Sequence, residues 1–384
     1  MHKSHTASYF AAFIALGLVA ASLGPTLPGL AEQTHTRLSA ISYLFTARSF
    51  GYLVGSYLGG RAYDRYPGHP LLGATLLLMA GAMALVPVIP LLWVVTFTLF
   101  VLGLGESFLD VGCNTLLVWI HREKVGPFLN GLHFFFGVGT FLSPIIVAQA
   151  ILWSGSIAWA YWGMAILIAP VAFWLLRLSS PSAPQSTLEN PTMPAHPGLI
   201  WLLAAVFFVY VGMEVSFGGW VYTYALSTRL ASETSAAYLT SGFWGAFTVG
   251  RLLSVPFSAR FTPRVLLRAD LAGMFAGLAL LLLFPSSLAA LWAATLLIGL
   301  SMASIFPTLL AFAGRRMTLT ARITGWFFMG VGLGAMFFPW LIGQLFEPLG
   351  PQALGWVLLA AVVLAFGMYG AVLKVRPWPV VHAV

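Results

Sequence analysis

Long apolar runs separated by short polar connections extend over almost the whole chain. A helix of about 20 mostly apolar residues crosses a hydrocarbon core about 30 Å thick. The runs lack the strict alternation of apolar and polar positions that marks outer-membrane strands. The pattern therefore predicts an all-α integral membrane protein with twelve transmembrane helices. The predicted spans are residues 8–31, 38–60, 70–89, 92–119, 126–151, 157–177, 199–226, 236–259, 265–285, 288–313, 321–346 and 352–374.

Composition excludes the soluble alternatives. Of the 384 residues, 60% are hydrophobic and only 7% are charged, against about 25% charged residues in soluble domains. The formal net charge is +8, but the basic residues are scattered between apolar runs instead of forming the clustered face that nucleic acid requires. We therefore expect the lipid bilayer as a partner, and no nucleic acid.

Basic residues in the connections predict the orientation. Lys and Arg fall almost entirely in connections on one side of the predicted spans, whereas only Arg37 and Arg229 lie on the other side. Connections rich in Lys and Arg stay in the cytoplasm. We therefore expect an integral plasma (inner) membrane protein with cytoplasmic N- and C-termini.

The chain divides into two similar halves. Five prolines in a polar stretch predict a cytoplasmic linker. An offset of 195 residues carries Gly137 to Gly332 and Gly139 to Gly334, which indicates two six-helix pseudo-repeats, a known plan of secondary transporters. The predicted parts are a bundle over 1–178, the linker 179–198 and a bundle over 199–384.

A motif after the second span resembles a known family. Residues 60–69 read GRAYDRYPGH, which resembles the G-x-x-x-D-R-x-G-R-R signature of the major facilitator superfamily, with the second glycine displaced and the last basic residues reduced to His69. The resemblance implies a twelve-helix transporter of the major facilitator fold. It also implies that Gly60, Asp64 and Arg65 form a gating motif that locks the cytoplasmic ends of the N-terminal helices to the end of the eleventh span.

Shorter segments are similar to one branch of that family, the fucose-permease-like and sodium-dependent glucose transporters. They are Asp110–Asn114 in the fourth span, Tyr210–Trp220 in the seventh and Phe306–Thr308 in the tenth. Fucose permease carries an acidic residue in its first span, whereas here the first carboxylate is Glu32, at the outer end of that span. The resemblance implies a sugar carrier and gives no support to fucose itself as the solute.

Five charged residues inside the spans are the strongest chemical signal. A charge at mid-bilayer costs at least about 2.5–3.5 kcal/mol and usually faces a partner or a cavity. With a rise of 1.5 Å per residue, Arg48 and Glu106 lie near mid-span, as do Glu214 and Arg251, and Asp110 lies one turn nearer the cytoplasm. We expect Arg48 to neutralise Glu106 and Arg251 to neutralise Glu214, which leaves Asp110 without a basic partner.

Polar residues cluster around Asp110. Glu106, Asp110 and Asn114 are spaced i, i+4, i+8 and share one face of the fourth span, and Asn130 and His133 begin the fifth span at a similar depth. These groups could form structural hydrogen bonds between helices. Alternatively, Asp110, Asn114 and Glu106 hold a coupling cation, and Asn114, Asn130 and His133 contact the solute. Burial favours a protonated carboxyl group, whereas amide oxygens beside it could help ligate Na⁺, so H⁺ and Na⁺ both stay open.

The seventh span combines an acid with aromatic rings. Tyr210 and Glu214 share one face, with Trp220 and Tyr224 on another. A glutamate that accepts hydrogen bonds from hydroxyl groups beside aromatic rings suits a sugar. Because Trp and Tyr near span ends also serve as interfacial anchors, Trp220 and Tyr224 are candidates for either role.

The sequence thus predicts a secondary transporter that moves a small polar solute, a monosaccharide, by cation-coupled symport and alternating access. The alternative is a proton-coupled multidrug or amphiphile exporter of the same fold, whose cavity would be mostly apolar. No pattern of a catalytic or metal site appears, so we expect no enzyme activity, no metal and no cofactor beyond the coupling ion. We expect a monomer.

Overall fold

The computed structural model describes residues 2–181, 197–317 and 320–375. All regular structure in these ranges is helical. The helices are α1 His2–Ala20, α2 Leu23–Gln33, α3 Leu38–Ile41, α4 Tyr43–Arg65, α5 Gly68–Leu85, α6 Leu92–His121, α7 Gly126–Ser154, α8 Ala158–Leu176, α9 Pro197–Ser227, α10 Glu233–Arg260, α11 Pro263–Leu283, α12 Leu288–Met302, α13 Ile305–Gly314, α14 Ala321–Leu349 and α15 Ala353–Lys374. Most of the predicted linker, residues 182–196, lies outside the described residues.

The all-α membrane fold predicted from the sequence is confirmed. Over the described ranges, nine helical segments are long and apolar enough to cross a membrane, and α1 with α2 forms a tenth that bends by 45°. The two remaining predicted spans, 38–60 and 236–259, correspond to the long but more polar α4 and α10. These two helices carry Arg48 and Arg251, and polar residues in spans usually face the interior of a bundle.

Two of the predicted spans are broken. The first breaks between α1 and α2 at residues 21–22, and the tenth breaks between α12 and α13 at residues 303–304. Each break lies about four residues before a proline, Pro25 in the first span and Pro307 in the tenth. Proline lacks the N–H for the bond to the carbonyl four residues earlier, and its ring clashes with that carbonyl. The local sequence therefore favours an interruption at both places, although Pro144 and Pro339 lie inside unbroken helices.

Matched glycines occupy matched places in the two halves. A Cβ on Gly139 would come within 2.2 Å of the Ile14 carbonyl in the first span, and one on Gly334 within 2.0 Å of the Phe208 carbonyl in the seventh. Both glycines therefore permit close packing inside their own half. Gly137 faces Thr248 across the molecule and Gly332 faces Leu53, so the second pair lies between the halves, as the offset of 195 residues requires.

The halves touch along α2 and α9, α3 and α4 against α14, and α7 against α10. Most of the polar contacts between them lie near one end, which carries the connections 34–37, 155–157, 228–232 and 350–352. There Glu347 accepts from the Leu38 N–H at 3.1 Å, and Gln344 donates to the Ser39 carbonyl at 2.8 Å. We call this the closed end; the orientation predicted from Lys and Arg makes it the outer one.

At the opposite end, no hydrogen bond or ion pair joins the two halves among the described residues. A Cβ on Gly60, Gly126 or Gly325, which lie at this end, would also meet nothing within 4 Å. Val255, two turns beyond Thr248 on α10, is 55% exposed. We call this the open end. It carries the connections 66–67, 122–125 and 261–262.

Candidate functional site

An ion pair joins the two helices of the N-terminal half that pack most closely. Arg48 on α4 donates to both carboxylate oxygens of Glu106 on α6, from Nε at 2.9 Å and from Nη2 at 2.5 Å. The side chains are 15% and 5% exposed, respectively. The approach is close because a Cβ on Gly103 would lie 1.9 Å from the Arg48 carbonyl. The structure thus forms the pair expected from equal depth, with the bidentate geometry that favours arginine.

Arg48 also holds the break in the first span. Its Nη1 donates to the Ala20 carbonyl at 3.0 Å, and its Nη2 lies 3.5 Å from the Val19 carbonyl. These carbonyls end α1, where the backbone dipoles leave partial negative charge. The guanidinium therefore compensates both a buried carboxylate and the broken end of a helix. Glu106 is fully engaged in this contact, which argues against its predicted part in cation binding.

Asp110 is held by two uncharged donors. Tyr52 on α4 donates its hydroxyl hydrogen to Oδ2, and the Asn114 side-chain amide donates to Oδ1 at 2.8 Å. No basic side chain lies within ion-pair distance of Asp110 among the described residues. The geometry agrees with the expectation of an acid without a basic partner. Asn114 orients the carboxyl group through its amide nitrogen, so its amide oxygen is the atom that could act as a ligand.

Glu214 has a matching arrangement in the other half. The Tyr210 hydroxyl lies 2.6 Å from Glu214 Oε2 and 3.0 Å from the Met302 carbonyl at the end of α12. Tyr210 is buried, whereas Glu214 is partly exposed. Each half therefore presents one carboxyl group that a tyrosine hydroxyl holds in place.

The expected ion pair between Arg251 and Glu214 is not formed. The Arg251 guanidinium lies 4.6 Å from the centre of the Phe247 ring, and its buried Nε has no hydrogen-bond partner. Arg251 still lies close enough to Asp110 and Glu214 to interact electrostatically with both. Equal depth did not produce contact, because Glu214 points towards Tyr210 along its own helix. The result is a guanidinium with unused donors between two carboxyl groups.

Asn130 and His133 lie in the first two turns of α7, near the open end. Both side chains are exposed, and the His133 ring packs edge-on to Phe13 at 5.9 Å between ring centres. Neither forms a hydrogen bond with Asp110 or Asn114 within the described chain. Their predicted contacts with the solute stay predictions.

Trp220 and Tyr224 are not on the cavity wall in this conformation. Both are fully buried. The Trp220 indole donates to the Pro339 carbonyl at 3.0 Å and packs against Phe45 and Phe346, while the Tyr224 hydroxyl bonds to Gln352. In this conformation both residues pack in the closed end, and their predicted solute contact stays a prediction. Their indole and hydroxyl polar atoms already have protein partners.

The predicted gating motif lies at the open end. Asp64 and Arg65 are exposed, and Gly60 leaves open space beside α4. No ion pair joins Asp64 to another described residue. The lock that the motif predicts would form only when this end closes, so an unpaired Asp64 is consistent with the open conformation.

Replacing Asp64 with asparagine should therefore favour the open-end conformation. Losing an exposed ion pair worth about 0.5–1 kcal/mol changes the population ratio about two- to fivefold. Labelling of Val255→Cys by a membrane-impermeant maleimide from the open-end side should rise accordingly, against a low background because Cys113 is buried. Phe261→Cys, 48% exposed in the connection 261–262 at the open end, is the matched control. Equal labelling of Val255→Cys with and without the Asp64→Asn change would contradict the lock.

Sequence reasoning missed three polar residues, Tyr52, Asp270 and Ser304. Tyr52 lies one turn from Arg48 on α4, and this i, i+4 spacing could have indicated it. Asp270 on α11 accepts a hydrogen bond from Ser304, the residue at the break between α12 and α13. Asp270 lies inside the predicted span 265–285 and should have been counted with the intramembrane charges.

Comparisons with known proteins identify the family and support the fold. The sequence profile of the Major Facilitator Superfamily matches residues 8–339. The chain is 34% identical to sodium-dependent glucose transporter 1 of Danio rerio, over 87% of this chain and 63% of that protein. It is 30% identical to sodium-dependent glucose transporter 1A of Mus musculus, over 88% of each. A crystal structure of the nucleoside transporter NupG superposes with a TM-score of 0.78 at 12% identity, covering 97% of this chain and 100% of that one.

Proposed function

The chain belongs to the major facilitator superfamily and is a membrane transporter, and from this premise we propose that it carries a monosaccharide together with a coupling cation. The observation that carries the proposal is the pair of tyrosine-held carboxyl groups, Asp110 in one half and Glu214 in the other, with the uncommitted Arg251 close to both. Asp110 lies on α6, Glu214 on α9 and Arg251 on α10.

These groups suit a sugar. Glu214 accepts hydrogen bonds, the Arg251 guanidinium donates them, and the exposed Asn130 does both. A monosaccharide offers several hydroxyl groups, each a donor and an acceptor, and can satisfy such a site without carrying charge. The apolar part of an amphiphile cannot form these hydrogen bonds. It would leave most of the same groups unpaired, at a cost of about 1–3 kcal/mol for each buried one. The polar lining therefore favours a sugar over the exporter alternative.

Asp110 is the proposed site of the coupling cation. Among the described residues, no basic side chain forms an ion pair with this acid, and an unpaired acid inside a membrane calls for a proton or a bound cation. The Danio rerio and Mus musculus relatives are both named sodium-dependent glucose transporters. Their names support glucose as the first solute to test and Na⁺ as the first ion, with H⁺ as the alternative.

Alternating access follows from the way the halves meet. Polar contacts close one end, whereas none joins the halves at the other end among the described residues. If the open end is cytoplasmic, as the basic residues predict, this is the inward-facing state. Rocking about the central glycine contacts Gly137–Thr248 and Gly332–Leu53 would open the closed end and bring Asp64 into its lock.

The test is uptake by the purified protein in liposomes, with a panel of hexoses and pentoses and with a cationic amphiphile. Na⁺ and pH gradients are imposed separately. We expect at least one monosaccharide to accumulate under one gradient, and Glu214→Gln to reduce that uptake by at least about tenfold because a partly buried acceptor of sugar hydroxyls is weakened. Glu233→Gln, the same change at the exposed start of α10, is the matched control. Transport of the amphiphile but of no sugar would contradict the proposal.

A further inference from the structure

Asp270 is a membrane-embedded carboxylate outside the central cavity. It lies on α11, two turns from the open end, and accepts a hydrogen bond from Ser304 at the break of the tenth span. No ion pair to Asp270 exists among the described residues. The nearest basic candidates are engaged elsewhere or exposed: Arg316 stacks on Phe312 and donates to the Val372 carbonyl at 2.9 Å, while Arg264 and Arg268 are exposed.

The break beside Asp270 leaves main-chain oxygens without their helical partners. No hydrogen bond from the N–H groups of residues 304–306 reaches the carbonyls of residues 300–302 in this described segment. Pro307, which has no N–H, leaves the Ala303 carbonyl without its helical donor as well. Of these oxygens, Met302 O accepts from Tyr210. The end of α12 therefore carries partial negative charge next to a carboxylate.

The other broken span shows how the same situation is resolved with a fixed cation. At the end of α1, the Arg48 guanidinium donates to the Ala20 carbonyl and neutralises Glu106. Each break thus combines a helix C-terminus with an acid inside the membrane, but among the described residues only the first acid has an arginine partner. At the second break an ionised Asp270 would lack a counter-charge, and a monovalent cation would supply it.

We propose that the break between α12 and α13 is a Na⁺ site, formed by the Asp270 carboxylate, the Ser304 hydroxyl and carbonyl oxygens at the end of α12. One carboxylate balances one positive charge, and oxygen donors from an interrupted helix are the groups that transporters use for Na⁺. Ser301, whose hydroxyl lies against Gly273 one turn from Asp270 on α11, is the nearest further hydroxyl.

The site has a direct link to the central cavity. Tyr210 contacts Met302 O at the break and Glu214 in the cavity with the same hydroxyl group. Na⁺ bound to the carbonyl oxygens of this turn competes with the hydrogen bond between Tyr210 and Met302 O. The hydrogen bond between Tyr210 and Glu214 then changes as well. This link rests on the proposed function of Glu214, whereas Na⁺ binding at the break does not.

Hydrogen exchange of the purified protein in detergent tests the site locally. The N–H groups of residues 304–306 lack helical acceptors, so peptides covering residues 299–310 should exchange measurably. Na⁺ should slow that exchange relative to choline at equal ionic strength. Asp270→Asn should abolish the slowing, and Ser304→Ala should raise the half-maximal Na⁺ concentration several-fold, since a ligand to a charged species is lost.

Glu233→Gln is the matched control, because it removes a carboxylate at the exposed start of α10 and leaves the break intact. It should keep the Na⁺-dependent slowing at residues 299–310. Absence of any Na⁺ effect there in the wild type, or an equal effect in Asp270→Asn, would overturn the site at the break. The site at the break would also be overturned if Asp110→Asn lost the Na⁺-dependent slowing while Asp270→Asn kept it. That result would support Na⁺ binding at the central site of the proposed function.

Discussion

Asp110→Asn should abolish accumulation of solute against its gradient while leaving exchange of internal for external solute intact. Asparagine keeps the shape of the side chain and can still pair with Tyr52 and Asn114, but it carries no charge that a cation must neutralise. The gradient then has nothing to act on, whereas the solute-binding groups remain. In liposomes the ratio of internal to external solute should fall to about one, since coupling free energy is lost as a whole.

Glu233→Gln should accumulate solute like the wild type, because Glu233 is an exposed acid outside the cavity. Two transport activities of Asp110→Asn are measured: accumulation of solute under an imposed gradient, and exchange of solute at equal concentrations. Accumulation by Asp110→Asn with the wild-type dependence on Na⁺ or pH would show that Asp110 is not the coupling residue, and Glu214 would become the better candidate. Loss of both activities would indicate a structural role instead.

Arg48→Gln should cause the largest loss of stability of any single change in the central region. It leaves the Glu106 carboxylate buried without its counter-ion and removes the donor from the Ala20 carbonyl, and breaking a buried pair from one side costs about 3–5 kcal/mol. Glu106→Gln should cost less, because the guanidinium keeps the carbonyl oxygens of Val19 and Ala20. The double change Arg48→Gln with Glu106→Gln should be less destabilising than Arg48→Gln alone.

Thermal unfolding of the three variants in detergent, followed by tryptophan fluorescence, measures this cycle. Arg37→Gln is the matched control for loss of an arginine, because Arg37 lies in a connection at the closed end and is exposed. Losses that simply add in the double variant would mean that the two side chains are energetically independent. That outcome would contradict the pair as a stabilising unit.

Depth along a helix can be read from the sequence, but direction around the helix axis cannot be read with the same precision. Equal depth correctly suggested Arg48 and Glu106, where close packing of α4 on α6 at Gly103 left no other arrangement. The same reasoning failed for Glu214 and Arg251. Glu214 turns towards Tyr210, one turn away on its own helix, and Arg251 lies against Phe247.

Breaks in helices were the other feature that the apolar pattern concealed. The runs 8–31 and 288–313 are continuous in hydropathy, so each predicts one straight span. The interruptions are favoured by Pro25 and Pro307, whose effect falls four residues earlier in the chain. Asp270 was overlooked for a related reason: it follows the basic residues Arg264 and Arg268, which mark the membrane surface, although its partner Ser304 lies at the buried break.

The family and the fold could be predicted because they rest on features repeated along the chain. Twelve apolar runs, the asymmetry of Lys and Arg and the motif at residues 60–69 each sample many positions. The roles of Trp220 and Tyr224 depend on which conformation the protein adopts, and composition carries no information on that. Their burial at the closed end becomes visible only when both halves are placed together.

The central claim, that solute and cation move together, is tested most directly by running the transporter in reverse. Proteoliposomes are loaded with the accumulated monosaccharide, diluted into solute-free medium without any cation gradient, and cation movement is followed with Na⁺- and pH-sensitive dyes. The account predicts that outward flow of the sugar drives the coupling cation outward in the wild type, and that Asp110→Asn releases the sugar without moving the cation. Sugar efflux from wild-type protein with no accompanying cation flux would contradict symport and identify a facilitator.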